Sequence, residues 1–190
     1  MHGMQAFPIH ALSQTRPAVL AAAAIAGVGA ATILGAYFFQ YVMGLPPCPL
    51  CLEQRIAYYV SIPLAIIIAV GGGVGGAATK GPRLLLAAGL GIIALAMLGN
   101  AGLGTFHAGV EWKWWPGPQE CSGTVTDLGA GGDLLSSLNN LTIVRCDEAA
   151  WRFLGISLAG YNAMISLGLA AIAAWGAVRT ASDGRERTDR

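Results

Sequence analysis

The stretch AVLAAAAIAGVGAATILGAYFF, which runs from Ala18 to Phe39, contains no charged side chain. A helix needs about 20 apolar residues to cross the hydrocarbon core of a bilayer. A cleavable signal peptide is the alternative, but the apolar part of such a peptide is only about 7–15 residues long. The length of this run and its bulky aromatic end therefore predict a retained transmembrane helix.

Three more apolar runs follow, and we expect helices at about residues 17–39, 56–78, 83–106 and 153–178. Charged residues make up 11% of the chain, against about 25% in ordinary soluble domains. Only helices and closed barrels satisfy their backbone groups in lipid. The pattern therefore predicts an all-α integral membrane protein, a four-transmembrane-helix bundle that forms a single membrane domain over residues 1–190.

The basic residues predict the orientation of this bundle. Seven of them fall on one side of the four-helix path and four fall on the other. The four lie on the side with the longest loop, where they count for less under the positive-inside rule. We therefore expect cytoplasmic tails, residues 1–16 and 179–190, and outer loops at about 40–55 and 107–152. The net charge of +1 gives no indication of a nucleic-acid partner, which usually selects a strongly basic face.

All four cysteines fall in the two outer loops. Cys48 and Cys51 lie in the first loop, and Cys121 and Cys146 lie in the second. A non-cytoplasmic compartment favours disulfides, and an even count split between two loops indicates thiol–disulfide chemistry. Zinc binding is one alternative, but the second pair spans 24 intervening residues, unlike compact zinc knuckles. An inert disulfide is another, although so short a loop as the first gains little from chain entropy.

The first pair, in LPPCPLCLEQR at residues 45–55, has the local geometry of reactive thiols. Pro49 is favoured as the first helical residue, because it lacks the amide hydrogen that goes unpaired there. Cys48 would then cap the helix, and Cys51 would lie in its first turn at the positive end of the dipole. Arg55 lies four residues further along the same helical face. Both effects favour the thiolate form of Cys51.

The second outer loop carries features of a membrane interface. Trp112, Trp114 and Trp115 follow the third helix and predict an aromatic belt. Asp133 can cap a short interfacial helix, because the residues after it include leucines at helical spacing up to Leu141.

Three motifs together resemble the disulfide bond formation protein B family, DsbB. QYVMGLPPCPLCLEQR, residues 40–55, resembles the first outer loop of that family, including the arginine four residues after the second cysteine. FHAGVEW, residues 106–112, resembles the exit of its third helix. CDEAAWRFLGIS, residues 146–157, resembles its last outer cysteine and the entry into its fourth helix. The resemblance covers nearly the whole chain.

The resemblance implies a quinone-dependent protein thiol oxidase in the bacterial inner membrane, with periplasmic cysteines. It implies that the protein reoxidises a periplasmic, thioredoxin-fold DsbA-like oxidase and passes the electrons to membrane ubiquinone or menaquinone. It also implies that Cys51, Arg55 and His107 bind the quinone. His107 lies just past the predicted third helix, so an interfacial histidine that merely meets water is the alternative.

The resemblance also implies two redox-active disulfides as the catalytic groups, Cys48–Cys51 and Cys121–Cys146. The reduced partner would attack Cys121, and Cys146 would then exchange with Cys48. That exchange would free Cys51 as a thiolate beside the quinone.

Two other functions remain open from the sequence. One is a redox enzyme similar to the vitamin K epoxide reductases, although the motif contexts differ. The other is a non-enzymatic membrane scaffold with structural disulfides.

Overall fold

The computed structural model describes residues 9–73, 80–118 and 145–182, and four long helices dominate this part of the chain. A π-helical turn, Phe38–Val42, continues the first helix, and a two-stranded hairpin precedes the last. The helices are α1 (Ile9–Tyr37), α2 (Pro49–Gly73), α3 (Lys80–Glu111) and α4 (Leu158–Ser182), and the strands are β1 (Arg152–Phe153) and β2 (Ile156–Ser157).

The four helices, the first together with the π-helical turn that continues it, provide segments long and apolar enough to cross a membrane. These segments are Pro17–Val42, Pro49–Gly73, Gly81–Glu111 and Leu158–Ser182. The predicted all-α bundle of four transmembrane helices is thereby confirmed. The short interfacial helix predicted near Asp133 lies outside the described residues.

The bundle has a core of small and aliphatic side chains, and it presents large apolar side chains on its outside. The helices pack mainly as two pairs, α1 with α2 and α3 with α4. Fully buried side chains include Ala18, Ala22, Ile25, Leu90, Met97 and Ala173, whereas Leu34, Ile67, Leu85, Leu95 and Val178 are exposed. Exposed leucines, isoleucines and valines suit a surface that meets lipid. The small residues in the core suit a membrane bundle, because they allow the helices to pack closely.

Gly176 lies where α4 packs tightly against α1. A Cβ atom added at Gly176 would lie 2.6 Å from Ala21 Cβ and 3.1 Å from Leu90 Cδ1. Real Cβ atoms do not approach other carbon atoms so closely, so any side chain here must push the helices apart. The lack of a side chain at Gly176 therefore allows α4 to pack this closely against Ala21 and Leu90.

Replacing Gly176 with valine should destabilise the bundle by about 1–3 kcal/mol, the usual effect of overpacking. Thermal unfolding of the purified protein in detergent measures this change. Gly168→Val is the matched control, because a Cβ at Gly168 on the same helix meets nothing within 4 Å. Equal melting temperatures for the two variants would contradict the packing argument.

The second helix begins at Pro49, seven residues before its long apolar run. This start confirms the cap geometry predicted for the first cysteine pair. The helix is described as far as Gly73, and the rest of the predicted span, up to residue 78, lies outside the described residues.

The third helix is longer than predicted and ends at Glu111. His107 therefore lies within α3, close to its C-terminal end. The prediction that His107 lies just past the third helix is wrong. The extension brings the His107 side chain into the bundle, where it is 2% exposed.

The fourth helix begins at Leu158 and not at residue 153, because the preceding residues form a hairpin. Arg152 pairs with Ser157, and Phe153 pairs with Ile156. The two turn residues have positive φ, 50° at Leu154 and 81° at Gly155, as a tight hairpin turn requires. Apolar composition alone did not reveal this turn.

Candidate active site

The first turn of α2 places the two thiols of the CPLC motif. The backbone amide of Cys51 donates to Cys48 Sγ at 3.2 Å, so the Cys48 sulfur acts as the helix N-cap. The amide of Leu52 donates to the Cys48 carbonyl at 3.1 Å. Cys48 is buried, and Cys51 is partly exposed. The local geometry therefore separates one sheltered sulfur from one accessible sulfur.

Cys48 and Cys51 are free thiols in this structure, which thus represents the reduced pair. The hydrogen bond to Cys51 raises the pKa of the Cys48 thiol, and burial raises it further. The proton of the reduced pair therefore stays on Cys48. Cys51 is the sulfur left to carry negative charge, as expected for a residue at a helix N-terminus.

Arg55 lies one turn after Cys51, and its guanidinium is buried between α1 and α2. Arg55 Nη1 donates to Gln40 Oε1 at 2.7 Å, and its Cζ lies 5.4 Å above the ring of Tyr37. The salt bridges of the described residues do not include Arg55. Its positive charge is thus held in place by a neutral amide and an aromatic face, and it can act on an anion beside it.

His107 projects from α3 toward the same motif. Gln54 Nε2 lies 2.8 Å from its Nδ1 atom, and Cys48 Sγ lies 3.6 Å from its Nε2 atom. The carboxylate of Glu111, one turn later, approaches Nε2 to 3.8 Å. Both ring nitrogens therefore face protein groups, and the predicted contact between His107 and a quinone carbonyl stays a prediction.

Cys146 reaches this cluster from the segment that precedes β1. It is fully buried, it is disulfide-bonded, and it packs with Cys48 and Leu50. Its sulfur, the Cys48 sulfur and a His107 ring nitrogen all lie within 4.8 Å of one another. Cys121 lies outside the described residues, so the predicted Cys121–Cys146 pairing stays a prediction. The Cys146 sulfur of the second loop nevertheless lies next to the Cys48 sulfur of the first loop.

A surface ion cluster holds the backbone around Cys146. Asp147 accepts two bonds from Arg145, at 2.9 and 2.8 Å, and a third from Lys113 at the end of α3. The Arg145 guanidinium and the Lys113 ammonium hold the pKa of the Asp147 carboxyl well below its usual range, and Arg145 has the larger effect. Sequence reasoning missed this cluster, because Lys113 lies 34 positions before Asp147 in the chain.

A cavity of about 440 Å³ opens beside the CPLC motif. Its walls are mostly apolar, with Ile33, Phe39, Leu45, Trp151 and Ile165 among them. The polar groups on its walls include Cys51, Gln54, Arg55, Tyr58, His107 and Asn162. Among the described cysteines, Cys51 is the one that lines this cavity. The cavity therefore brings one accessible sulfur together with one guanidinium in an apolar setting.

Polar side chains inside the bundle connect the helices. Asn100 donates to Ser166 at 2.9 Å, and Asn162 donates to Gln54 at 2.6 Å. These contacts join α3 to α4 and α4 to α2. Sequence reasoning did not single out Gln54, Tyr58 or Glu111, although a polar residue within an apolar span is a usable signal.

The tryptophans after α3 include one with a structural role. Trp115 Nε1 donates to the carbonyl of Phe106 at 2.9 Å, and its ring covers Gly109, where a Cβ atom would lie only 2.0 Å away. Trp112 and Trp114 are more exposed. For these two residues the aromatic belt stays a prediction.

In the reduced protein, Cys51 should react with iodoacetamide well before Cys48. Cys48 is 3% exposed and retains its proton, whereas Cys51 is accessible from the cavity. Brief alkylation followed by peptide mass spectrometry measures the order, and protein unfolded in denaturant is the control in which both react. Earlier labelling of Cys48 would contradict the assignment.

The chain is similar to disulfide bond formation proteins over most of its length. The family model "Disulfide bond formation protein DsbB" matches residues 17–176. A disulfide bond formation protein B from Methylococcus capsulatus is 32% identical over 155 residues, which are 75% of this chain and 83% of that protein. Another from Saccharophagus degradans is 30% identical over 78% of this chain and 86% of that protein. No solved structure gives a significant match.

Proposed function

This chain belongs to the DsbB family of disulfide bond formation proteins, and from that premise we propose that it is a quinone-dependent thiol oxidase. Its family and its four apolar helices make it a multi-pass membrane protein and a disulfide-forming oxidoreductase. In the proposed reaction it reoxidises a periplasmic DsbA-like partner and passes the electrons to membrane quinone. We place it in the bacterial inner membrane, with cytoplasmic termini and periplasmic cysteines.

The positions of the sulfur atoms support a relay between two disulfides. A reduced partner attacks the Cys121–Cys146 disulfide and frees Cys146 as a thiolate. Cys146 then attacks Cys48 of the Cys48–Cys51 disulfide, and the electron pair of the broken bond stays on Cys51. Each exchange breaks one S–S bond and forms another. The separation of less than 4.8 Å between the Cys48 and Cys146 sulfurs favours the second exchange.

The cavity beside Cys51 has the size and chemistry for a quinone headgroup. Its volume of about 440 Å³ falls within the range of roughly 300–1,000 Å³ that is usual for ligand pockets. Apolar walls suit a lipid-soluble ring, and Arg55 offers hydrogen-bond donors and a positive charge. A quinone bound there would supply an acceptor for two electrons and two protons. We propose ubiquinone or menaquinone, held beside Cys51 and Arg55, with the ring of His107 as part of the cavity wall.

The redox chemistry of the partner favours the same acceptor. DsbA is a strong oxidant, with a potential of about −120 mV. The glutathione couple lies at about −220 mV or lower, so it cannot draw electrons from such a dithiol. One observation supports the proposal most strongly, namely that the two cysteines of the first pair face different groups. Cys51 lines the cavity together with Arg55, whereas Cys48 faces Cys146.

A coupled assay with purified protein tests the proposal. Reduced DsbA-like partner is mixed with ubiquinone or menaquinone, and the loss of partner thiols and the loss of quinone absorbance are followed together. We expect the wild-type protein to couple the two signals in a ratio of one dithiol per quinone. The Cys51→Ser variant should reduce no quinone, because it lacks the sulfur that faces the cavity.

Whether the Cys51→Ser variant folds can be checked in the same experiment, because its second cysteine pair is unchanged. Cys51→Ser should still form a mixed disulfide with the partner at Cys121. Quinone reduction by Cys51→Ser at the wild-type rate would contradict the assignment of Cys51. Failure of the wild type to reduce either quinone would leave a scaffold with structural disulfides as the better account.

A further inference from the structure

A row of polar side chains crosses the bundle and ends at the Cys48 sulfur. Successive members lie on different elements and are within hydrogen-bond distance of one another, except for the longer last contact to sulfur. In order they are Asn100, Ser166, Tyr58, Asn162, Gln54, His107 and Cys48. Such groups are costly to bury in an apolar bundle unless they bond to each other, and here they form one connected chain.

The orientation of Gln54 is fixed by its neighbours on both sides. Its Nε2 atom lies 3.1 Å from the Leu50 carbonyl oxygen, which can only accept a hydrogen bond. Its Oε1 atom accepts from Asn162 Nδ2 at 2.6 Å. Asn162 is oriented in turn by the Tyr58 hydroxyl, which donates to its Oδ1 atom at 2.7 Å. The second amide hydrogen of Gln54 is thus left for His107 Nδ1, at 2.8 Å.

This orientation decides which nitrogen of His107 carries hydrogen. Because a donor faces Nδ1, that atom must accept, and the hydrogen of the neutral ring lies on Nε2. Acceptors surround the other side of the ring. They are the Cys48 sulfur at 3.6 Å and the Glu111 carboxylate at 3.8 Å.

We propose that Gln54 and Asn162 are positioning residues that hold His107 as the Nε2–H tautomer, so that it donates a hydrogen bond to Cys48 whenever that sulfur becomes a thiolate. The inference rests on the proposed relay. In that relay the second thiol of the partner displaces Cys121 from the mixed disulfide, so the partner leaves oxidised and Cys121 becomes a free thiolate. Cys121 then attacks Cys146: the Cys48–Cys146 bond breaks, a Cys121–Cys146 bond forms, and the electron pair of the broken bond stays on Cys48.

A hydrogen-bond donor at the departing sulfur lowers the barrier for that exchange, because thiols of lower pKa leave faster. When Cys48 is neutral, the Glu111 carboxylate can accept the same N–H instead. His107 thereby acts on the cysteine that links the two disulfides.

The ring tautomer can be measured directly in the full-length, quinone-free protein. Histidine is labelled with ¹⁵N, the reduced protein is studied by NMR in detergent micelles at neutral pH, and His107→Gln identifies the signal. We expect a neutral ring with hydrogen on Nε2. Hydrogen on Nδ1, or a doubly protonated ring, would overturn the proposal without bearing on quinone reduction.

Gln54→Met removes the amide and keeps the approximate length and shape of the side chain. We expect this variant to give a mixture of tautomers. The rate of Cys48 alkylation at neutral pH, located by peptide mass spectrometry, should fall roughly tenfold, the change that about 1.4 kcal/mol produces. Asn162→Leu should shift both readouts in the same direction.

Ser61→Ala is the matched control on the same helix, because the buried Ser61 hydroxyl has no hydrogen-bond partner among the described residues. It should leave the tautomer and the alkylation rate unchanged. An unchanged tautomer in Gln54→Met would overturn the proposal. If Gln54→Met does not fold, the wild-type tautomer and Asn162→Leu still decide it. A correct tautomer together with a failed quinone assay would reject the proposed function and leave the positioning effect intact.

Discussion

The site depends on how the sulfur of Cys48 is held at the start of α2. The backbone amide of Cys51 donates to it, His107 approaches it from α3, and the buried Cys146 lies against it from the second loop. Three separate parts of the chain thus converge on one side chain. A shift in the start of α2 would separate Cys48 from Cys146 and would also turn Cys51 away from the cavity.

The lipid-facing bundle explains why the polar groups near this sulfur are so ordered. An apolar interior offers no water to an unpaired amide or hydroxyl, so the side chains between Asn100 and His107 bond to one another. Their donors and acceptors are consequently fixed in direction. The same requirement that stabilises the bundle also orients the ring beside the reactive cysteine. Close packing at Gly176 and Gly104 keeps the helices near enough for these bonds.

The sequence predicted the four spans, the cap at Cys48 and the membership of the family, because each depends on local composition or on a short motif. It did not predict the hairpin before α4, where Leu154 takes a positive φ, since nothing in apolar periodicity reports such a turn. Nor did it predict that α3 continues to Glu111, or that Gln54 contacts His107 across 53 positions. Contacts of that kind depend on helix rotation and packing, which a single sequence does not specify.

The central claim is that Cys48 links the two disulfides, and a double variant tests it most directly. Cys51→Ser combined with Cys121→Ser leaves Cys48 and Cys146 as the two remaining cysteines. After mild thiol oxidation of the purified protein, non-reducing peptide mapping identifies the disulfide. The account predicts an intramolecular Cys48–Cys146 bond in nearly every molecule. Thiols that stay reduced, or disulfides that form between molecules, would contradict it.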